Sequence, residues 1–183
     1  MDQCTLYEQI LGLSAPWFVS DVELDKSQSE VVVQVNIDKG TALVCPRCGR
    51  ACPGYDSRER RWRHLDTCQL KTLLVADVPR VECKEHGVVT VDVPWAEPGS
   101  GFTALFESLV IDWLKTAAVS AVAERLRLSW NAVDGILQRA VRRGLSRREA
   151  LAPKRLSVDE TAYRKGHDYI TVVTEQESGT GLH

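Results

Sequence analysis

The 183-residue chain predicts a mixed α+β protein. It reads as a small β-rich, zinc-ribbon-like domain, a helical domain with helix-turn-helix proportions, and two closing strands. Three observations carry this. Runs rich in Val and aromatics, partly alternating, fill the first 95 residues. After the Pro/Gly breaker AEPGSG (96–101), the apolar period changes to that of a helix. Two short Cys/His pairs, each trailed by glycine, lie inside the β-rich part. The domains expected are residues 1–95, 96–150 and 151–183.

In chain order, residues 5–13 predict a short helix. WFVSDVELD (17–25) and the run from Glu30 to Ile37 read as a hairpin across the polar KSQS. QLKTLLVAD (69–77) and GVVTVDVPW (87–95) read as two further strands, with VPRVEC between them. Leu105, Phe106, Leu109, Val110, Trp113 and Leu114 recur at helical spacing and form one apolar stripe. A second helix is expected over 116–126 and a third over 130–144. Ser129 suits the N-cap of the third helix, and Gly144 its C-terminal stop. A basic linker, LSRREALAPK (145–154), precedes RLSVDETAY and HDYITVVTE, two strands joined around RKG.

Composition narrows the function class. Charged residues make up 26% and hydrophobic ones 44%, the balance of a soluble globular chain. No apolar run is long enough to span a bilayer, so no membrane partner is expected. The N-terminus has no basic n-region, which points to a reducing cytoplasm. There, six cysteines are free, redox-active or metal-bound more often than paired. The net charge of −2 hides segregation. Residues 45–90 hold nine Lys/Arg against six acids, and residues 115–167 hold twelve against five. Local basic segments decide whether a polyanion can dock.

Cys45 and Cys48 form CPRC followed by Gly49; Cys83 and His86 form CKEH followed by Gly87. Such a knuckle aims two side chains and several backbone N–H groups at one cation, and glycine accommodates its tight turn. Two knuckles give three thiolates and one imidazole, a closed structural Zn²⁺ set. Cys52, His64 and Cys68 lie in the spacer and are too few for a second site.

The pair of helices after residue 115 has an inward apolar face on its second member: Val133, Ile136, Leu137, Ala140 and Val141. Gly135 is expected to let two helices approach closely. The outward face carries Asn131, Asp134, Gln138, Arg139, Arg142 and Arg143. Short polar side chains near the start of such a helix can read base edges, and arginines further along can meet phosphates. Read without DNA, the same segment is a three-helix bundle with a solvated basic face. The knuckle segment offers a second basic patch, Arg58, Arg60, Arg61 and Arg63, beside Trp62. Trp62 suits a core anchor and a stacking group equally.

CPRCG, YDSRERRWRHLD, VPRVECKEHGV with VPWA, the helix pair and LSVDETAYRKGHDYITVV occur in this order. Together they resemble the N-terminal part of a transposase of the ISL-three insertion-sequence family, over about residues 30–180. The resemblance implies a zinc-binding N-terminal domain with ligands Cys45, Cys48, Cys83 and His86. It also implies a helix-turn-helix and the first β-hairpin of an incomplete RNase H-like catalytic domain. Its expected partner is double-stranded DNA at terminal inverted repeats, with which a homodimer is compatible. Asp159 matches the first catalytic acid, and the second Asp and final Glu of the triad have no counterpart here. Mg²⁺ is therefore expected only for a complete catalytic domain. Two other functions fit the residues: a zinc-ribbon/helix-turn-helix transcriptional regulator without catalysis, and a metal-stabilised protein-interaction module.

Overall fold

The computed structural model describes residues 2–148, 153–164, 166, 168–177, 179 and 181. Helix α1 (Gln3–Leu11) starts two residues earlier than expected, because the Asp2 carboxylate accepts the Thr5 N–H at 2.8 Å and caps it. Gly12, at φ 62°, closes it in the left-handed region. Strands β1 (Trp17–Asp25) and β2 (Glu30–Ile37) form the expected antiparallel hairpin.

Strands β3 (Gly54–Thr67), β4 (Leu70–Cys83) and β5 (Gly87–Thr90) complete a five-stranded sheet of order β1-β2-β4-β3, with β5 also on β4. The β2–β4 pairing is parallel; the others are antiparallel. β4 is central. Its first half pairs with β2 up to Ala76 and its last residues pair with β5 from Arg80, both on the edge opposite β3.

That division explains Pro79, which splits the sequence pattern but not the strand. The Pro79 carbonyl accepts the Val91 N–H on the β5 side. In an extended residue the nitrogen faces the same side, so the missing N–H falls between the end of β2 and the start of β5. The strand expected over 87–95 is only four residues long, and Trp95 beyond it turns into the core.

β3 is where the sequence reading found a basic patch and no strand. One of its faces buries Trp62 and His64, at 1% and 2% exposure. Trp95 meets Trp17 and Trp62 edge-on, at ring separations of 5.0 and 5.3 Å. Val33, Val35, Leu74 and Val78 fill the space around them.

The breaker expected to separate two domains lies against the sheet instead. Arg63 N–H donates to the Gly101 carbonyl, and Thr103 N–H donates back to the Arg63 carbonyl. This covers part of the open edge of β3. Thr103 then caps helix α2 (Ala104–Leu114), its Oγ1 accepting the Phe106 N–H at 3.2 Å. Helices α3 (Val119–Leu126) and α4 (Trp130–Ser146) follow. Their core is Phe106, Val110, Val122, Val133 and Ile136, with Leu65 of β3 and Phe102 packed against it. Ser129 caps α4 as expected, accepting the Ala132 N–H at 3.1 Å.

Three details of α4 differ from expectation. The helix continues through Gly144 to Ser146. Val141 is half exposed. A Cβ on Gly135 would meet only the Arg139 guanidinium, at 3.7 Å, so this glycine serves no close helix approach.

Residues 1–140 form one compact unit and residues 141–183 a second. The second holds the end of α4 and an antiparallel hairpin of β6 (Leu156–Arg164) and β7 (Asp168–Glu175). Part of the expected basic linker, residues 149–152, lies outside the described residues, as do Lys165 within RKG and His167 after it.

Candidate metal centre and nucleic-acid interface

The two knuckles meet at the far end of β4. Cys45 and Cys48 sit in a tight turn closed by the Gly49 N–H on the Cys45 carbonyl at 2.8 Å and by the Cys45 N–H on the Arg50 carbonyl at 2.8 Å. Cys83 ends β4, and His86 lies in the turn that reverses into β5. Gly49 and Gly87 have φ of 70° and 67°, where a side chain would be strained, which accounts for a glycine after each pair.

The four ligand atoms lie within 4.8 Å of one another. Cys48 Sγ is 3.8 Å from Cys83 Sγ, and His86 Nδ1 is 3.7 Å from Cys45 Sγ and 3.5 Å from Cys83 Sγ. A tetrahedron with Zn–S of about 2.3 Å and Zn–N of about 2.0–2.1 Å has S···S edges of about 3.8 Å and S···N edges of about 3.6 Å. These three separations match such edges, so the cluster has the size and donor set of a tetrahedral zinc site. Backbone N–H of Glu85, then the His86 side chain and its N–H, bring the Cys83 thiol down to about 6. A thiol of that kind is readily available as thiolate.

The other candidate ligands stay outside this set. His64 is buried in the sheet, its Nδ1 2.9 Å from Thr103 Oγ1. Burial, and then the Arg63 charge, push its pKa down. Cys68 is exposed in the β3–β4 turn. The Cys52 thiol donates to the Arg50 carbonyl at 3.4 Å.

The arginines divide into two classes. Arg63 lies over the Phe106 ring and pairs with Asp66, its side chain only 10% exposed. Arg60 lies over Trp62 and donates to the Ser100 carbonyl at 3.4 Å. Arg139 donates through Nε and Nη2 to the buried Glu107 carboxylate, at 2.9 and 2.7 Å. These three side chains are committed to internal partners. Arg58 and Arg61 are exposed on β3, Arg61 beside Glu59 at 3.0 Å. Asn131 and Arg142 are exposed on α4, and Arg143 is half-buried.

Two features escaped the sequence reading. Trp130, 54% exposed, stands beside Asn131 at the start of α4. Glu107 is buried within the apolar run of α2, where a lone acid in ALFESLV was the available signal.

Asp159 stands in β6 opposite Val172, exposed, its Oδ1 accepting the Glu160 N–H at 2.9 Å. Among the described residues, Cys45, Cys48, Cys83 and His86 are the only cluster arranged to hold a metal ion. None of the helices described is long and apolar enough to cross a membrane.

Comparison with known proteins bears on both the metal cluster and the helices. Residues 42–86 match a family model described as the zinc-finger of transposase IS204/IS1001/IS1096/IS1165. Residues 91–141 match the helix-turn-helix domain of transposase family ISL3. The chain carries the N-terminal zinc-finger and helix-turn-helix domains of the ISL3 transposase family.

Relatives agree with the ISL3 assignment. The transposase for insertion sequence element IS1557, in two strains of Mycobacterium tuberculosis, is 33% identical over 187 residues, covering 98% of this chain and 42% of the relative. The transposase for insertion sequence element IS1001 of Bordetella parapertussis is 25% identical over 135 residues, covering 73% of this chain and 33% of the relative. The chain thus spans less than half the length of these curated relatives. No solved structure matches it. Both family models and all three relatives are described as transposases, which favours that reading over a regulator.

Proposed function

We propose that this ISL3-type chain is the DNA-recognition region of a transposase and that it binds double-stranded DNA at terminal inverted repeats. The observation that carries the reading is the exposed start of α4, where Asn131 stands one residue into the second helix of a helix-turn-helix. An amide there can read a base edge in the major groove. Arg142 and Arg143, farther along the helix, serve phosphates, and Arg58 and Arg61 on β3 supply a second basic surface. Arg60, Arg63 and Arg139 serve by holding the scaffold.

Cys45, Cys48, Cys83 and His86 hold one Zn²⁺ in this reading. With four protein ligands the ion has no open position for substrate, so its role is structural. The β6–β7 hairpin is read as the start of an RNase H-like domain, with Asp159 as its first acid. Mg²⁺ keeps several of its own waters and needs more than one carboxylate to settle. Two-metal phosphoryl chemistry likewise needs several acids around ions about 4 Å apart. This chain alone is therefore expected not to nick inverted-repeat DNA with Mg²⁺ or Mn²⁺.

Fluorescence anisotropy on inverted-repeat and random duplexes, across a salt series, tests the binding. Arg142→Ala should weaken binding to all duplexes and lower the salt slope by about one. Asn131→Ala should cost on the order of 1–3 kcal/mol of discrimination at one or two base pairs. Unchanged curves for both variants would leave the DNA reading without support.

A further inference from the structure

A track of polar side chains runs through the first unit from β3 to α4. His64 of β3 holds Thr103, the cap of α2, at 2.9 Å. One turn on, Glu107 Oε1 accepts Ser100 Oγ at 2.8 Å and the Arg139 guanidinium at 2.9 and 2.7 Å. Ser100 is itself fixed on both sides: its Oγ takes the Phe102 N–H at 3.0 Å, and its carbonyl takes Arg60 of β3 at 3.4 Å. His64, Ser100, Thr103 and Glu107 are each 1–2% exposed. The track therefore ties the sheet, the 100–103 segment, α2 and α4 together through directional bonds.

A buried ion pair seldom stabilises a fold beyond what an apolar pair of the same volume would, and its best-attested use is to fix register. Apolar contacts between helices tolerate sliding and rotation; a guanidinium that places both Nε and Nη2 on one buried carboxylate oxygen does not. We infer that Glu107 is a positioning residue for DNA recognition: through Arg139 and Ser100 it fixes the rotation of α4 against β3, and hence how Asn131 meets the bases. This rests on the DNA-binding reading above. Neither partner needs to touch DNA.

The test replaces the pair with methionines, Glu107→Met together with Arg139→Met, which suit the neighbouring apolar core of Phe106, Val110 and Ile136. The zinc content, helical signal and thermal midpoint should hold. Discrimination between inverted-repeat and random duplexes should fall about tenfold or more, with an unchanged salt slope. Arg139→Lys, which keeps the charge but loses the fork, should also lower discrimination at constant slope; it decides the matter should the double variant not fold. Discrimination equal to that of the parent chain overturns the inference. So does a uniform loss of affinity with a slope lower by about one, which would make Arg139 a phosphate contact. A parent chain that binds both duplexes equally overturns the DNA-recognition reading itself, and is distinguished by that control.

Discussion

The two ends of β4 are held by different chemistry. At its start, Leu74, Ala76 and Val78 are buried against a cluster of three tryptophans. At its finish, Cys83 and Cys45 are buried while their apolar neighbours Val44, Tyr55 and Val88 are 41–57% exposed. The first end has an apolar core to exclude water. The second has little beyond the buried Val81, and four ligand side chains close it. A short loop-rich segment that cannot bury enough surface gains order from a metal instead. The difference predicts that the two ends fail separately.

Removing the metal should have the largest effect, and it should be local. Structural zinc supplies on the order of 10 kcal/mol in small fingers. Cys83→Ser should abolish zinc binding and disorder residues 42–53 and 84–90, leaving the tryptophan cluster native by near-UV circular dichroism. A loss of the tryptophan signal with the metal would merge the two ends into one cooperative structure. Trp62→Ala attacks the other end and should cost about 3–5 kcal/mol in urea unfolding. A cost below about 1 kcal/mol would contradict a core role for this side chain.

His64 gives a smaller, pH-dependent contrast. Burial and Arg63 depress its folded pKa, so the unfolded chain binds more protons on acidification. Its contribution is present above the unfolded value of about 6.5 and is lost as the pH falls below it. His64→Gln should therefore flatten the fall in thermal midpoint between pH 7.5 and 5.5. The comparison is between the parent chain and the variant at equal zinc loading. The smallest effect is a gain. Gly135→Ala meets only ordinary contact with Arg139 and should stabilise α4 by up to about 1 kcal/mol.

The legible parts of the sequence were those where one local rule acts alone. Spacing and trailing glycines gave the knuckles, period gave α2 and α4, and alternation gave β1 and β2. β3 was hidden because its inward positions 60, 62 and 64 are Arg, Trp and His, which do not read as apolar alternation. The run 69–83 looked broken because a proline marks a strand end unless its nitrogen faces a gap, and that gap depends on where β2 and β5 stop. The internal roles of Arg63 and Arg139 depend on Phe106, Asp66 and Glu107, which reach them only in the folded chain. A run of arginines gives no sign of which members are already taken.

Hydrogen exchange on zinc-loaded and chelated protein tests the central contrast most directly. Chelation should strip protection from residues 42–53 and 83–90, while residues 72–78 of β4 and the buried turns of α2 and α4 keep theirs. Loss of protection throughout residues 2–140, or no loss at the knuckles, would contradict a metal-held end distinct from the tryptophan-held one.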